Sequence, residues 1–125
     1  MNLENKTLKG TTTLGIVCKD GLVLAADKRA TAGYEVASRE MEKVFPIADN
    51  IVITVAGLVS DAQLISKLVK AEIALKKYRT DKESNVKEVA NLLATIVYSN
   101  IRRMSMVPGI VGFLIGGKDN SGYKL

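Results

Sequence analysis

Two stretches with helical spacing of apolar residues lie between short β-branched runs, and this order restricts the fold of the 125-residue chain more than any other feature. In the first stretch Ser60 is followed by Gln63 three residues later, a capping-box pattern that marks a helix start. The second stretch is capped by Ser84 or Asn85. Strands on both sides of a helical pair predict an α+β domain.

Short apolar runs predict the strands before and after the helices. Alternation from Thr12 to Cys18 indicates a strand, Asp20-Gly21 is typical of a hairpin turn, and the continuous run from Leu22 to Ala26 indicates a strand covered on both faces. Further strands are predicted over residues 34–38, 43–47, 51–55 and 110–115, with a break at Pro108-Gly109 and a glycine-rich turn over 116–122.

Each helical stretch carries a set of apolar residues that we expect to face the core. In the first stretch these are Ala62, Leu64, Ile65, Leu68, Val69, Ile73 and Leu75. In the second they are Val86, Val89, Ala90, Leu93, Ile96, Val97 and Ile101. The charged residues from Thr80 to Glu83 predict the loop between the two helices.

The last predicted hairpin has a returning strand of three residues, Tyr123 to Leu125. A lone apolar edge strand would be exposed to pairing with other chains. We therefore expect the chain to be a fragment or truncated product, with the closing half of the domain missing.

Composition excludes several classes of function. One cysteine, Cys18, and no histidine leave no zinc site of the usual kind, and nothing in the sequence predicts a cofactor. No run approaches the ~18 apolar residues of a membrane span, and residues 1–10 lack the apolar region of a secretory signal, so we expect a cytoplasmic protein. The net charge of +5 suggests nucleic-acid binding, but no aromatic stacking platform accompanies it. A solvated helix surface is the favoured interpretation.

Thr11 follows Gly10 in a chain without histidine, which closes the route in which histidine serves as general base. If the Gly10–Thr11 bond is cut, Thr11 carries a hydroxyl nucleophile and a free α-amine on the same residue. An α-amine titrates near pH ~7.7–8.0, which suits a base at neutral pH. The sequence thus offers an N-terminal threonine nucleophile as a hypothesis.

Three residues are candidates to accompany Thr11, and each has a plain structural alternative. Asp27 ends an apolar strand, where it could be a simple strand-end charge. Lys43 precedes an apolar pair and could extend to solvent. Gly57 lies between a buried strand and a helix, where it could serve a tight turn or offer its N–H to an oxyanion.

The residues around these candidates favour the functional interpretation over the structural one. The segments Gly10-Thr11-Thr12-Thr13-Leu14-Gly15-Ile16-Val17, Lys19-Asp20-Gly21 and Ala25-Ala26-Asp27-Lys28-Arg29-Ala30-Thr31 closely resemble the β-type subunits of the proteasome core particle, the archaeal kind above all. Lys43, Val55-Ala56-Gly57 and Ser60-Asp61-Ala62-Gln63 continue the pattern in order, so the resemblance covers nearly the whole chain after its leader. It implies the first part of the αββα sandwich of N-terminal-nucleophile hydrolases.

The resemblance also implies roles for individual residues. Residues 1–10 correspond to a propeptide removed by self-cleavage, and 11–125 to an incomplete β-type domain with Thr11 as nucleophile. Lys43 corresponds to the lysine beside the hydroxyl, Asp27 to its acidic partner, and Gly57 to the glycine whose N–H polarises the scissile carbonyl. Thr31 corresponds to a residue that aligns the substrate, and a specificity pocket is implied at Ala30, Met41, Val55 and Val59. Val55 and Met41 could equally be core residues.

The implied function is that of a threonine endopeptidase that cleaves unfolded polypeptides within a heptameric ring of β-type subunits. Rings of α-type subunits and an ATPase regulator are the implied partners, and no metal is required. Two other readings stay open. One is a non-catalytic ring subunit or inactive fragment, and the other is a basic binding module.

Overall fold

The computed structural model of the chain describes residues 11–32, 35–38, 40–57, 59–102 and 111–125. Two helices follow six strands and precede two more, so the predicted α+β order is confirmed. In chain order the elements are β1 (Thr13–Val17), β2 (Leu22–Ala26), β3 (Ala30–Ala32), β4 (Glu35–Ser38), β5 (Val44–Ala48), β6 (Ile51–Gly57), α1 (Val59–Thr80), α2 (Val86–Arg102), β7 (Val111–Asp119) and β8 (Gly122–Lys124).

The described strands form three antiparallel sheets. β1 pairs with β2 and β3 pairs with β4, while β5, β6, β7 and β8 form a four-stranded sheet in that order. β6 lies inside the larger sheet because its β-branched run suits a pleated surface covered by other elements. Ile51, Ile53 and Thr54 in this strand are all fully buried.

The hydrophobic core lies between the four-stranded sheet and the two helices. Ile53 and Val55 of β6 belong to one cluster with Val69 of α1 and with Val89 and Leu93 of α2. Phe113 and Ile115 of β7 pack against this cluster. The core is aliphatic, as a chain with few aromatic residues requires.

Helix α2 agrees with its predicted stripe. Val86, Val89 and Leu93 are buried, Ala90, Ile96 and Val97 are half-buried, and the side chain of Ile101 lies outside the described residues. Asn85 is the N-cap, because its Oδ1 accepts the Glu88 N–H at 2.7 Å. Of the two predicted caps, Ser84 and Asn85, the structure selects Asn85, whose amide oxygen satisfies a free N–H of the first turn.

Helix α1 differs from its prediction in two respects. It begins at Val59, so Ser60 lies within the first turn instead of capping the helix. Leu64, Leu68 and Leu75 are exposed by 59%, 47% and 41%, so the prediction that they face the core is wrong for the chain as described. A helix packed on one sheet buries one face, and Ala62, Ile65, Val69 and Ile73 occupy it.

Strand β7 continues through two glycines that the sequence assigned to a turn. The strand runs to Asp119, so the predicted turn over 116–122 is wrong and the bend lies at Asn120 and Ser121. A side chain has no room at either glycine. A Cβ on Gly116 would lie 2.7 Å from a Leu22 methyl, and one on Gly117 would lie 2.3 Å from the Asn50 carbonyl oxygen. The predicted break at Pro108-Gly109 lies outside the described residues.

The β1–β2 hairpin packs one of its faces on the larger sheet. Leu22 and Leu24 lie over Gly116 of β7, which places the hairpin as a second layer. Leu14, Ile16 and Val23 on the other face are about half exposed, so the prediction that β2 is covered on both faces is wrong for the described residues. The order of these layers is the two helices, the four-stranded sheet and the β1–β2 hairpin.

Replacing Gly117 tests the close approach of β7 to the β5–β6 turn. Because the added Cβ would meet main-chain atoms that cannot move independently, Gly117→Ala should lower the free energy of unfolding by about 1–3 kcal/mol or more. Gly21→Ala is the matched control, since no atom lies within 4 Å of a Cβ there. Denaturant titration of the two variants and the unsubstituted chain measures the difference, and equal losses would contradict the packing.

Candidate active site

The register of the β1–β2 hairpin brings Thr11 and Asp27 to one end of it. Thr13 pairs with Ala26, so the next residues outward, Thr12 and Asp27, lie opposite each other. The Asp27 N–H donates to the Thr12 carbonyl oxygen at 3.2 Å, which extends the ladder by one pair. Thr11 is then the first residue beyond that pair.

Lys43 reaches the same place from the larger sheet. It directly precedes β5, and its carbonyl oxygen accepts the Val55 N–H of β6 at 2.9 Å. Its side chain is only 6% exposed. The sheet therefore fixes the main chain of Lys43, and the side chain extends under cover towards the hairpin end.

The Lys43 ammonium has three acceptors. Its Nζ lies 3.0 Å from Thr11 Oγ1, 2.5 Å from Asp27 Oδ1 and 2.5 Å from the Arg29 carbonyl oxygen. A protonated lysine carries three N–H donors, so every donor has a partner. Burial of this cation is tolerated because it is both paired with a carboxylate and fully hydrogen-bonded.

Asp27 is held as a carboxylate. The hydrogen bond from Lys43 is the main reason that the Asp27 pKa lies below its ordinary value of 3.8, and the Thr12 N–H adds to the effect. The Arg29 N–H, 3.2 Å from Oδ1, and the charge of Lys43 lower this pKa further, while partial burial opposes them. Asp27 is thus ionised at neutral pH and neutralises the ammonium beside it.

This arrangement can activate the Thr11 hydroxyl. An ammonium 3.0 Å from Thr11 Oγ1 stabilises negative charge on that oxygen and so makes loss of its proton easier. Thr11 is half-buried, which leaves part of it accessible. The pair Lys43–Asp27 supplies this positive charge, and the chain has no histidine that could serve as the base.

Gly57 ends β6, two residues beyond Val55, whose N–H bonds to the Lys43 carbonyl oxygen. Its φ of 123° lies in the region that favours glycine, and it pairs with Val111 of β7. Gly57 is exposed.

The residues predicted to bind substrate lie in β3, in β6, at the start of α1 and in the segment before Lys43. Thr31 and Ala30 lie in β3, where the pairing with β4 is irregular between them. Met41 is half-buried and its N–H donates to the Lys28 carbonyl oxygen at 2.8 Å. Val55 is 6% exposed and belongs to the core cluster, and Val59 begins α1. Among the described residues predicted for the site, side-chain hydrogen bonds join Thr11, Asp27 and Lys43, and a main-chain hydrogen bond joins Val55 to Lys43.

Two main-chain partners were missed by sequence reasoning. The Thr12 N–H donates to Asp27 Oδ2 at 2.9 Å, and the Arg29 carbonyl accepts from Lys43. Because every residue has main-chain N–H and carbonyl groups, the sequence does not show which of them will bind a given side chain. The β1–β2 register could have found Thr12, because extending the hairpin by one pair sets it opposite Asp27.

The rest of the described chain shows few features that could form another functional site. A cavity of about 160 Å³ lies at the far end of β5, between the Asp49-Asn50 turn and α1. Within residues 11–125, leaving out the undescribed positions, no group of three or more His, Cys, Asp or Glu could hold a metal ion. Neither described helix is long and apolar enough to cross a membrane.

Comparison with known proteins decides the family. The family model for the proteasome subunit matches residues 7–125. The chain belongs to the proteasome subunit family. Its two helices and antiparallel sheets are part of the α+β N-terminal-nucleophile hydrolase fold of that family.

Curated relatives in the proteasome family are similar over nearly the whole chain. The chain is 45% identical to the proteasome subunit beta of Ferroglobus placidus, over 98% of this chain and 57% of the relative. It is 44% identical to that of Archaeoglobus profundus, over 98% and 55%, and 43% identical to that of Methanothermobacter thermautotrophicus, over 100% and 57%. The chain thus spans little more than half the length of these relatives.

The ion pair predicts a particular dependence of stability on pH. Because the pKa of Asp27 is lower in the folded state than its ordinary 3.8, its contribution is present above that value and is lost as pH falls through the folded-state pKa. The stability advantage over Asp27→Asn should therefore be largest near neutral pH and should shrink below pH ~3.8.

Denaturant unfolding of both proteins across this range measures the advantage. Asp20→Asn removes a carboxylate from the exposed turn of the same hairpin and is the matched control. The same pH dependence in both variants would exclude the Lys43–Asp27 pair as the cause.

Proposed function

We propose that the protein is a threonine endopeptidase subunit of a proteasome core particle and that Thr11 is its nucleophile. The 3.0 Å contact between Lys43 Nζ and Thr11 Oγ1, backed by Asp27, carries the proposal. Three sequence-distant residues meet at one hydroxyl, and a buried lysine is directed at it.

The reaction follows from these groups. Once Thr11 is N-terminal, its α-amine, with a pKa near ~7.7–8.0, takes the Oγ proton directly or through water. Oγ attacks the carbonyl carbon of a peptide, and the negative charge faces Lys43 and a main-chain amide. The C–N bond breaks, the proton passes from the α-ammonium to the leaving amine, and water hydrolyses the remaining ester.

The same chemistry accounts for maturation. Residues 1–10 are assigned as a propeptide and 11–125 as part of the β-type domain. Attack of Thr11 Oγ on the Gly10 carbonyl carbon, with water taking the Oγ proton, would break the Gly10–Thr11 C–N bond and free the α-amine that later serves as base. Hydrolysis of the resulting Gly10 ester would then release residues 1–10.

The substrate is an unfolded polypeptide. Gly57 would offer its N–H to the oxyanion, and exposure and a positive φ at the end of β6 support that assignment. β3, with Thr31, would pair with the substrate as an added strand. Apolar lining by Ala30, Met41, Val55 and Val59 would favour cleavage after hydrophobic residues.

Exposed apolar faces support assembly with other subunits. α1 carries a stripe, the α1 outer stripe, at spacings of four and three residues. Its members are Leu64, Leu68, Ala71, Leu75 and Tyr78, all exposed. A monomeric surface seldom presents such a continuous apolar row, so the α1 outer stripe is assigned to contacts between subunits. The outer face of the β1–β2 hairpin, which carries Leu14, Ile16 and Val23, is assigned to contact with a second helical layer of the whole domain.

The partners follow from the family. Heptameric rings of β-type subunits, flanking rings of α-type subunits and an ATPase regulator that feeds in unfolded chains are the proposed assembly. Enclosure suits a nucleophile with a broad apolar pocket, because it keeps folded proteins away from Thr11. A cytoplasmic location accords with this role.

Removing the Thr11 hydroxyl tests the function. In the protein that carries this sequence, assembled with its partners, Thr11→Ala should reduce hydrolysis of a fluorogenic peptide with a hydrophobic residue before the cleaved bond to background. Thr11→Ser keeps a hydroxyl and should retain part of the activity. Intact mass should show residues 1–10 removed in the unsubstituted protein and kept in Thr11→Ala. Unchanged hydrolysis by Thr11→Ala, or an uncleaved leader in an assembled, inactive particle, would favour a non-catalytic ring subunit.

A charge in the α1 outer stripe tests the assembly. Leu68→Glu places a carboxylate at the middle of the row and should shift the protein to smaller species in light scattering, while its helix content stays unchanged. Gln63→Glu adds the same charge on an exposed position of α1 outside the row, and should assemble normally. Equal assembly of both variants would contradict the assignment.

A further inference from the structure

The main-chain amide of Thr12 lies at the junction between the candidate nucleophile and its ion pair. Its N–H donates to Asp27 Oδ2 at 2.9 Å, and the Asp27 N–H donates back to the Thr12 carbonyl oxygen at 3.2 Å. The other carboxylate oxygen, Oδ1, accepts from Lys43 Nζ at 2.5 Å. One carboxylate therefore touches both the residue next to Thr11 and the ammonium that donates to the Thr11 hydroxyl.

This contact replaces an ordinary strand hydrogen bond. The pairs of the hairpin place Thr12 opposite Asp27, and in a regular antiparallel ladder the Thr12 N–H would donate to the main-chain carbonyl of Asp27. Here the side-chain carboxylate takes that place. The end of β1 is consequently bonded to the carboxylate that orients Lys43, in addition to the main-chain bond from the Asp27 N–H.

The hydrogen bond between the Thr12 N–H and Asp27 matters because Thr11 becomes the N-terminal residue in the proposed function. A first residue has no peptide bond on its N-terminal side and tends to move freely unless it is tied down. The Thr12 nitrogen is separated from the Thr11 Cα by two covalent bonds. Fixing that nitrogen leaves few rotations that can carry Oγ1 away from Lys43.

We infer that Thr12 is a positioning residue whose main-chain N–H, held by Asp27 Oδ2, keeps the Thr11 hydroxyl within hydrogen-bonding distance of Lys43 Nζ. The inference rests on the proposed function and gives Asp27 a second task besides pairing with Lys43. The exposed Thr12 side chain takes no part. The lowered pKa of Asp27 supports this, because after the Lys43 hydrogen bond the Thr12 N–H is its largest cause.

A proline at position 12 removes the N–H and keeps the carbonyl oxygen that accepts from Asp27. The position lies just before β1, where a proline is tolerated. Thr12→Ala is the matched variant, since it shortens the same side chain and retains the N–H. Both are produced with Thr11 released from a removable N-terminal fusion, so that self-cleavage is not needed, and both are assembled into the full particle.

In Thr12→Pro we expect kcat to fall about 10- to 100-fold while KM changes less than about twofold, because the lost contact is a hydrogen bond to a charged acceptor that orients the nucleophile. Thr12→Ala should keep the kcat of the unsubstituted particle within about twofold. Structures of the two variant particles should show Thr11 Oγ1 beyond about 3.5 Å from Lys43 Nζ in Thr12→Pro and within hydrogen-bonding distance in Thr12→Ala.

Equal kcat in the two variants would overturn the inference, as would a fall in kcat with the Thr11–Lys43 contact preserved. An inactive unsubstituted particle would contradict the proposed function, and the separation of Thr11 Oγ1 from Lys43 Nζ in the two variant structures would still decide the inference. If Thr12→Pro does not assemble, an ester bond between residues 11 and 12, made by semisynthesis, removes the same N–H and is judged by the same separation.

Discussion

A buried ammonium is the constraint on which the site depends. Lys43 is 6% exposed, and its charge is tolerable there because Asp27, Arg29 and Thr11 supply an acceptor for each of its three donors. Loss of any one acceptor would leave a donor unsatisfied in a poorly hydrated place. The need to satisfy Lys43 therefore holds three segments of the chain together, and the hydroxyl of Thr11 is one of the groups held.

These segments come from two layers that pack independently of the site. Lys43 belongs to the larger sheet through its bond to Val55, while Asp27 and Thr11 belong to the β1–β2 hairpin. Leu22 sits where Gly116 leaves space, so the hairpin can approach β7 closely. Gly116 therefore affects the contact between the hairpin and Lys43, because it allows the hairpin to lie close to the sheet that carries the lysine.

The sequence predicted those features that depend on local or paired residues. The Asp20-Gly21 turn, the strand Leu22–Ala26 and a helix cap at Ser84 or Asn85 were all predicted, since each follows from neighbouring residues alone, and the structure selects Asn85. The same local rules could not assign the faces of α1, which has apolar residues on two sides, and the sheet selects between them only after packing. The glycines of β7 were assigned to a turn because the sequence does not show why glycine is needed there. Each glycine lies close to a residue from another part of the chain, which leaves little space for a side chain. Thr11 was proposed from its place after Gly10 in a chain without histidine, the roles of Asp27 and Lys43 came from resemblance, and the described contacts join the three.

In a chain without histidine, separate groups must perform the two functions that an imidazole performs alone. An imidazole accepts a proton and, once charged, stabilises the negative charge that forms nearby. In the proposed reaction the Thr11 α-amine takes the proton and Lys43 supplies a charge that does not need to change. This division places a strict demand on geometry, because base and nucleophile share one residue at a chain end while the cation sits on another layer. The carboxylate of Asp27 meets the demand by bonding to both sides, to the Lys43 ammonium and to the main chain beside Thr11.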